Sequence, residues 1–186
     1  MTGVDPLLAH RRAQDAFGSV LARVTDEQLE SPTPCTEWRV RELVGHVIAG
    51  NQRVATGTAT YSSGSQSVAE LVALHAASAA DAQASFAAPD GLVRTYELSF
   101  GSVPGSTAIG MRTTDVLTHA WDLAKATGQS TEGIDPELAA ELLAAARGRV
   151  GASMRGQGKP FADEQPCGPE AFPSDRLAAF LGRPQA

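Results

Sequence analysis

Met111–Gly128 reads MRTTDVLTHAWDLAKATG, and how this run folds decides the architecture of the chain around it. Its apolar residues recur at helical rather than alternating spacing, which predicts an α-helix. The helix is expected to start near Ser106 or Thr107 and to be capped by Gly128, since a glycine just past the last turn relieves the left-handed closing conformation. At about 100° per residue, Val116, Leu123, Ile109 and Ala120 fall to one side, while Leu117, Trp121 and Ala124 occupy the back. A helix apolar over most of its circumference belongs in a core. One narrow polar stripe remains, formed by Arg112, Asp115, His119 and Asp122.

Residues four apart on a helix carry Cβ atoms about 5–6 Å apart on one face, so Asp115 and His119 point the same way. That arrangement lets one helix offer two metal ligands. Buried charge is costly unless it is paired or bound to a metal, and the stripe admits both solutions. In one, Arg112 neutralises Asp115 on the adjacent turn and the stripe is a satisfied salt bridge. In the other, Asp115 and His119 await a third ligand from elsewhere.

Working outward, Asp5-Pro6 places an N-cap before a first-turn proline, and Leu7, His10, Ala13, Phe17, Leu21 and Val24 continue a first helix to about Val24. Thr25-Asp26-Glu27-Gln28 is a capping box that predicts a short helical turn, ended by Pro32 and Pro34. Val40, Leu43, Val44, Val47, Ile48, Asn51 and Val54 define a second helix closed at Gly57. His46 lies at the edge of its apolar stripe, facing the seam with a neighbouring helix. It is there either a half-exposed histidine of no consequence or a ligand to a shared metal. Ser67-Val68-Ala69-Glu70 opens a third helix, in which His75 sits mid-stripe and reads as a core histidine. Leu92–Phe100 is expected to be extended, with FGSVPG (100–105) as a turn-rich connector. Asp135-Pro136 starts a fifth helix running toward Val150, residues 151–173 are irregular, and Ser174 caps a short last helix ending at Gly182. The expectation is an all-α four-helix bundle with additional short helices and a minor extended segment, whose site is built from facing helices.

A chain of 186 residues fits one domain, residues 1–186, with a real core. The net charge of −6 argues against nucleic acid or an anionic membrane as partner, because both demand a basic surface. No apolar run of about 18 residues is present, and MTGVDPLLAH lacks the charged-then-apolar order of a signal peptide. A soluble, cytoplasmic protein is expected. Two cysteines, Cys35 and Cys167, are too few for a disulfide framework and are expected to be thiols. Cys35 precedes the second helix, where a thiol's pKa can fall. It reads as a small buried hydrophobe, with a catalytic role as the alternative. Trp38 reads as a packing residue at the start of the same helix, and Trp121 as core.

At TPCTEWRVRELVGHVIAGN (33–51), FGSVPG (100–105), DVLTHAWDLAKATG (115–128) and DRLAAFLGRP (175–184), the sequence resembles the DinB/YfiT-like metalloproteins. It is most similar to the actinobacterial branch related to the N-terminal domain of mycothiol-dependent maleylpyruvate isomerase. The resemblance implies a four-helix bundle holding one divalent metal, usually zinc, through three protein ligands with open water positions. Carried onto this chain, those ligands are His46, Asp115 and His119. Three histidine or carboxylate ligands with an open position is the pattern of a catalytic zinc site. Two departures stand out: the isomerase carries Glu where this chain has Asp115, and it has a further C-terminal domain.

The expected chemistry is thiol transfer or thiol-assisted isomerisation, with mycothiol or a similar small-molecule thiol as co-substrate to a second small molecule. Asp122 is a candidate catalytic residue, either orienting a ligand histidine or serving as base, or else it pairs with a cation. Arg112 is a candidate too, able to hold a substrate carboxylate through a bidentate contact or to neutralise Asp115. The alternative function is a non-enzymatic metal-binding or stress-related interaction protein, for instance a homodimer, in which a fourth ligand such as His75 closes the site.

Overall fold

The amphipathic and fully apolar patterns resolve into a four-helix bundle in the computed structural model, which describes residues 3–35, 38–98, 101–156 and 161–185. Helix α1 (Pro6–Leu21) begins where Asp5 accepts hydrogen bonds from the amides of Leu7 and Leu8. It ends three residues short of Val24. The capping box at Thr25 starts a single 3-10 turn, Asp26–Glu30, that buries Leu29. Helix α2 (Val40–Thr56) closes at Gly57, whose φ of 80° is the left-handed conformation a glycine adopts without cost. Helix α3 (Val68–Ala87) opens on the Ser67–Glu70 capping box.

Helix α4 (Gly105–Ala126) is the central element, buried on nearly every face. Its three buried or half-buried threonines, Thr113, Thr114 and Thr118, return their hydroxyls to carbonyls one turn back, so none carries an unmet donor into the core. Around the bundle, α4 packs on α1 and α2, and α3 packs on α1 and α2. The main core fills the space between them with Phe17, Leu21, Leu43, Val47, Ile48, Leu71, Leu117 and Trp121. A second apolar cluster of Val54, Ala82, Phe86, Tyr96 and Ile109 closes the far end.

The FGSVPG stretch departs from its expectation. Within it, Gly101–Pro104 forms strand β2, antiparallel to β1 (Thr95–Leu98), with Tyr96 opposite Val103. Both of those side chains join the second cluster, and that burial favours pairing over a free connector. The two amides at the start of α4, those of Gly105 and Ser106, donate to the carbonyls of Arg94 and Leu92, so the hairpin also caps the central helix.

Helix α5 (Pro136–Arg147) starts at Asp135 as its sequence indicates, and α6 (Pro173–Phe180) packs against α5 and α4. Ser174 is not the cap of α6. Phe172 holds that position, Pro173 is the first helical residue, and the Ser174 hydroxyl donates instead to the Thr131 carbonyl at 2.9 Å. Residues 161–172 are irregular, as their glycines and prolines require. No helix is long and apolar enough to cross a membrane among the described residues.

Candidate metal centre

The polar stripe of α4 meets α2 at the edge position of His46. Asp115 stands between two imidazoles, with His46 Nε2 at 3.3 Å from its Oδ2 and His119 Nε2 at 3.3 Å from its Oδ1. One donor atom from each of the three residues can be chosen so that all lie within 4.8 Å of one another. Among the described residues no fourth His, Cys, Asp or Glu joins this group. The structure thus brings together the three residues that the resemblance carries over.

The donor chemistry fits a divalent cation. His119 is buried and donates from Nδ1 to Asp122 Oδ2 at 2.9 Å. With the proton on Nδ1, the lone pair sits on Nε2, the atom that faces Asp115. A metal-ligating histidine held by a carboxylate on its far nitrogen is the usual supporting arrangement. Two imidazoles and one carboxylate match zinc and its neighbours rather than calcium or magnesium, which prefer all-oxygen sites.

Charge around the cluster is balanced residue by residue. Arg112 Nη1 donates to Asp115 Oδ2 at 2.6 Å, and Nη2 donates to the Val47 carbonyl and to Asn51 Oδ1. Asp122, fully buried, receives both Nε and Nη2 of Arg183, at 3.3 and 3.2 Å. Each carboxylate thus has its own arginine. Arg112 does not pair with Asp122, and its guanidinium turns inward rather than to solvent. Burial alone would raise the Asp115 pKa, but His119, Arg112 and His46 outweigh it and hold the carboxyl well below its usual range. Burial works toward a neutral His119, yet Asp115 and Asp122 together raise its pKa to about 9. A proton and a cation accordingly compete for the same Nε2 lone pair. Arg183 stays charged in the same way: burial opposes its charge, and Asp122 reverses that, with smaller contributions from Cys35 and Asp115.

Two contributors escaped the sequence reading. Trp38 does pack at the start of α2, but what it packs on is the site: its ring lies 4.5 Å from that of His46 and 5.6 Å from that of His119. Arg183 comes from beyond α6, in the DRLAAFLGRP stretch quoted for the resemblance, where nothing local marks it as a partner for Asp122. His75 is where the core reading put it. It is buried against Phe17 in α1, with Nε2 at 3.0 Å from Gln14 Oε1. Trp121 is core as well, its indole N–H donating to Asp175 at 2.6 Å.

A cavity of about 300 Å³ adjoins the centre, lined by Trp38, Glu42, Gly45, His46, Ala49, Tyr61 and Ser63. A larger one, about 800 Å³, lies between α5, α6 and the segment around Cys167, and none of the stripe residues reaches it. The smaller cavity is the relevant one, because it opens onto a residue of the cluster.

The sequence model of the family described as the mycothiol maleylpyruvate isomerase N-terminal domain matches residues 10–124. Proteins described as uncharacterized in two strains of Mycobacterium tuberculosis, CDC 1551 / Oshkosh and ATCC 25618 / H37Rv, are each 57% identical over 180 residues, covering 97% of this chain and 98% of their own. Crystal structures of the mycothiol-dependent maleylpyruvate isomerase and of a histidine-to-alanine mutant of it superpose with a TM-score of 0.56. They are 22% and 23% identical and cover 75% of this chain and 67% of theirs. At that identity the likeness shows a shared fold.

Proposed function

The chain belongs to the family of the mycothiol maleylpyruvate isomerase N-terminal domain, and from that premise we propose that it is a divalent-metal-binding, thiol-dependent transferase or isomerase acting on a small molecule. The observation that carries the reading is the convergence of His46, Asp115 and His119 within 4.8 Å beside a cavity. Zinc is the cation its donors suit best, and mycothiol or a similar thiol is the co-substrate that the family's description suggests. A cytoplasmic location goes with such a co-substrate.

His46, Asp115 and His119 would hold a divalent ion, which when bound would lower the pKa of a coordinated thiol or water and so supply a nucleophile at neutral pH. The residues of the chain do the rest. Asp122 fixes the tautomer and plane of His119. Arg112 and Arg183 each cancel one carboxylate, so the donor set offers nearly neutral surroundings and leaves a bound cation most of its charge. Trp38 covers the two imidazoles on one side and limits water there. The cavity along Glu42, Tyr61 and Ser63 gives a small molecule access to His46.

The test is to load the protein with cobalt and titrate it with mycothiol while recording the electronic spectrum. A thiolate-to-cobalt charge-transfer band is expected, and its absence at saturating thiol refutes the thiol-dependent reading. His46→Ala and His119→Ala should lose cobalt while melting nearly as the parent does. If they instead unfold as the metal is lost, the ion is structural, and the non-enzymatic alternative takes over.

A further inference from the structure

Arg112 is buried in the stripe and held on several sides, and the reason lies on α2. Gly50 stands directly beneath its guanidinium: a Cβ there would be 2.6 Å from Arg112 Cζ and 2.7 Å from Nη2. A glycine inside a helix costs stability relative to alanine, so this one is explained by the slot it leaves. Within the slot, Arg112 donates to Asp115, Val47 and Asn51. Asn51 is itself held, accepting from Gln14 Nε2 at 2.8 Å and donating to Gln14 Oε1 and Ser78 Oγ at 3.2 and 3.3 Å. With Gly50 leaving the slot open, the guanidinium is therefore held on three partners.

That rigidity distinguishes the two oxygens of Asp115. Oδ2 accepts from Arg112 at 2.6 Å and lies 3.3 Å from His46 Nε2. Oδ1 has no arginine on it and lies 3.3 Å from His119 Nε2 and 3.5 Å from His46 Nε2, facing both imidazoles at once. We infer that Arg112, seated over Gly50 and braced by Asn51, is a positioning residue that reserves Oδ2, so that Asp115 meets a divalent ion through Oδ1 alone. This rests on the metal reading of the site given above. It makes Gly50 and Asn51 determinants of coordination although neither has an atom among the candidate ligands. It also gives the shorter Asp115 a defined way of binding, through one oxygen.

The test is vibrational. Protein labelled with carboxyl-13C aspartate is measured by infrared difference spectroscopy, zinc-loaded minus zinc-free. A carboxylate bound through one oxygen shows a wide separation between its asymmetric and symmetric stretches, and one bound through both oxygens shows a narrow one. The wild type is expected to give the wide pattern. Gly50→Ala adds its methyl against the far end of a flexible side chain, which can yield without disturbing the backbone, so this variant should fold and displace the guanidinium. Its splitting should narrow as Oδ2 becomes available, and Arg112→Gln should do the same. A narrow splitting in the wild type, or an unchanged wide splitting in both variants, overturns the inference. If zinc produces no aspartate difference signal in the wild type, the metal reading fails and the inference falls with it.

Discussion

The network that braces Asn51 makes the fold sensitive to acid at two buried histidines that are not among the candidate ligands. His10 Nδ1 donates to Gln83 Oε1 at 2.7 Å, and His10 Nε2 accepts from Gln14 Nε2 at 3.2 Å. His75 Nε2 donates to Gln14 Oε1 at 3.0 Å. The His10 ring is satisfied only when neutral, since a proton on its Nε2 would face the Gln14 amide donor, and the His75 ring is buried against Phe17. Burial lowers both pKa values to about 4, with the Arg112 charge adding to the effect and the Gln83 bond opposing it at His10. In the unfolded chain each titrates near 6.5, so between about pH 6.5 and 4 the unfolded state binds more protons and stability falls with pH. Lowering pH from 7.5 to 5 should cost about 2 kcal/mol per histidine. Urea unfolding of the wild type, His10→Gln, His75→Gln and the double variant at the two pH values reads this directly. The quantity to compare is the loss between pH values, because other groups, His119 with its raised pKa among them, shift every variant's baseline alike. Each substitution should remove about 2 kcal/mol of that loss. A double variant that keeps the whole wild-type loss refutes the assignment.

Two further substitutions probe the support of the centre. Asp122→Asn should weaken zinc binding by about 10–100-fold in a chelator competition; unchanged affinity would mean that Asp122 serves Arg183 and not His119. Arg183→Met leaves a fully buried carboxylate without its cation. Breaking a buried pair costs about 3–5 kcal/mol, and because the Arg183 side chain is 22% exposed the expected loss in urea unfolding is nearer about 2 kcal/mol. Restoring charge balance with Asp122→Asn in the same chain should recover part of it, and strictly additive losses would argue against their coupling.

How far the sequence disclosed the site follows from how each contact is encoded. Arg112, Asp115, His119 and Asp122 were legible because all lie within three turns of one helix, where spacing alone fixes a common face. His46 was half legible: its place at the edge of the α2 stripe indicated a seam, but the meeting with Asp115 spans 69 positions and came only from the family resemblance. Trp38, Asn51 and Arg183 act across elements, and no periodicity relates them to α4. Gly50 gave a signal of a different kind, a helix-interior glycine that propensity disfavours. Gln14 gave another, for it sits four residues after His10 on a helix whose inward face is otherwise apolar. A polar residue among buried ones must find its partner on some other element, and Gln14 finds His75 on α3 and Asn51 on α2. The same demand explains why the core and the centre are not separable. The hydrogen bonds that satisfy the buried polar groups of α1 and α3 end, through Asn51, on the arginine that holds Asp115, so a change in the bundle's interior reaches the candidate ligands through a short chain of named contacts.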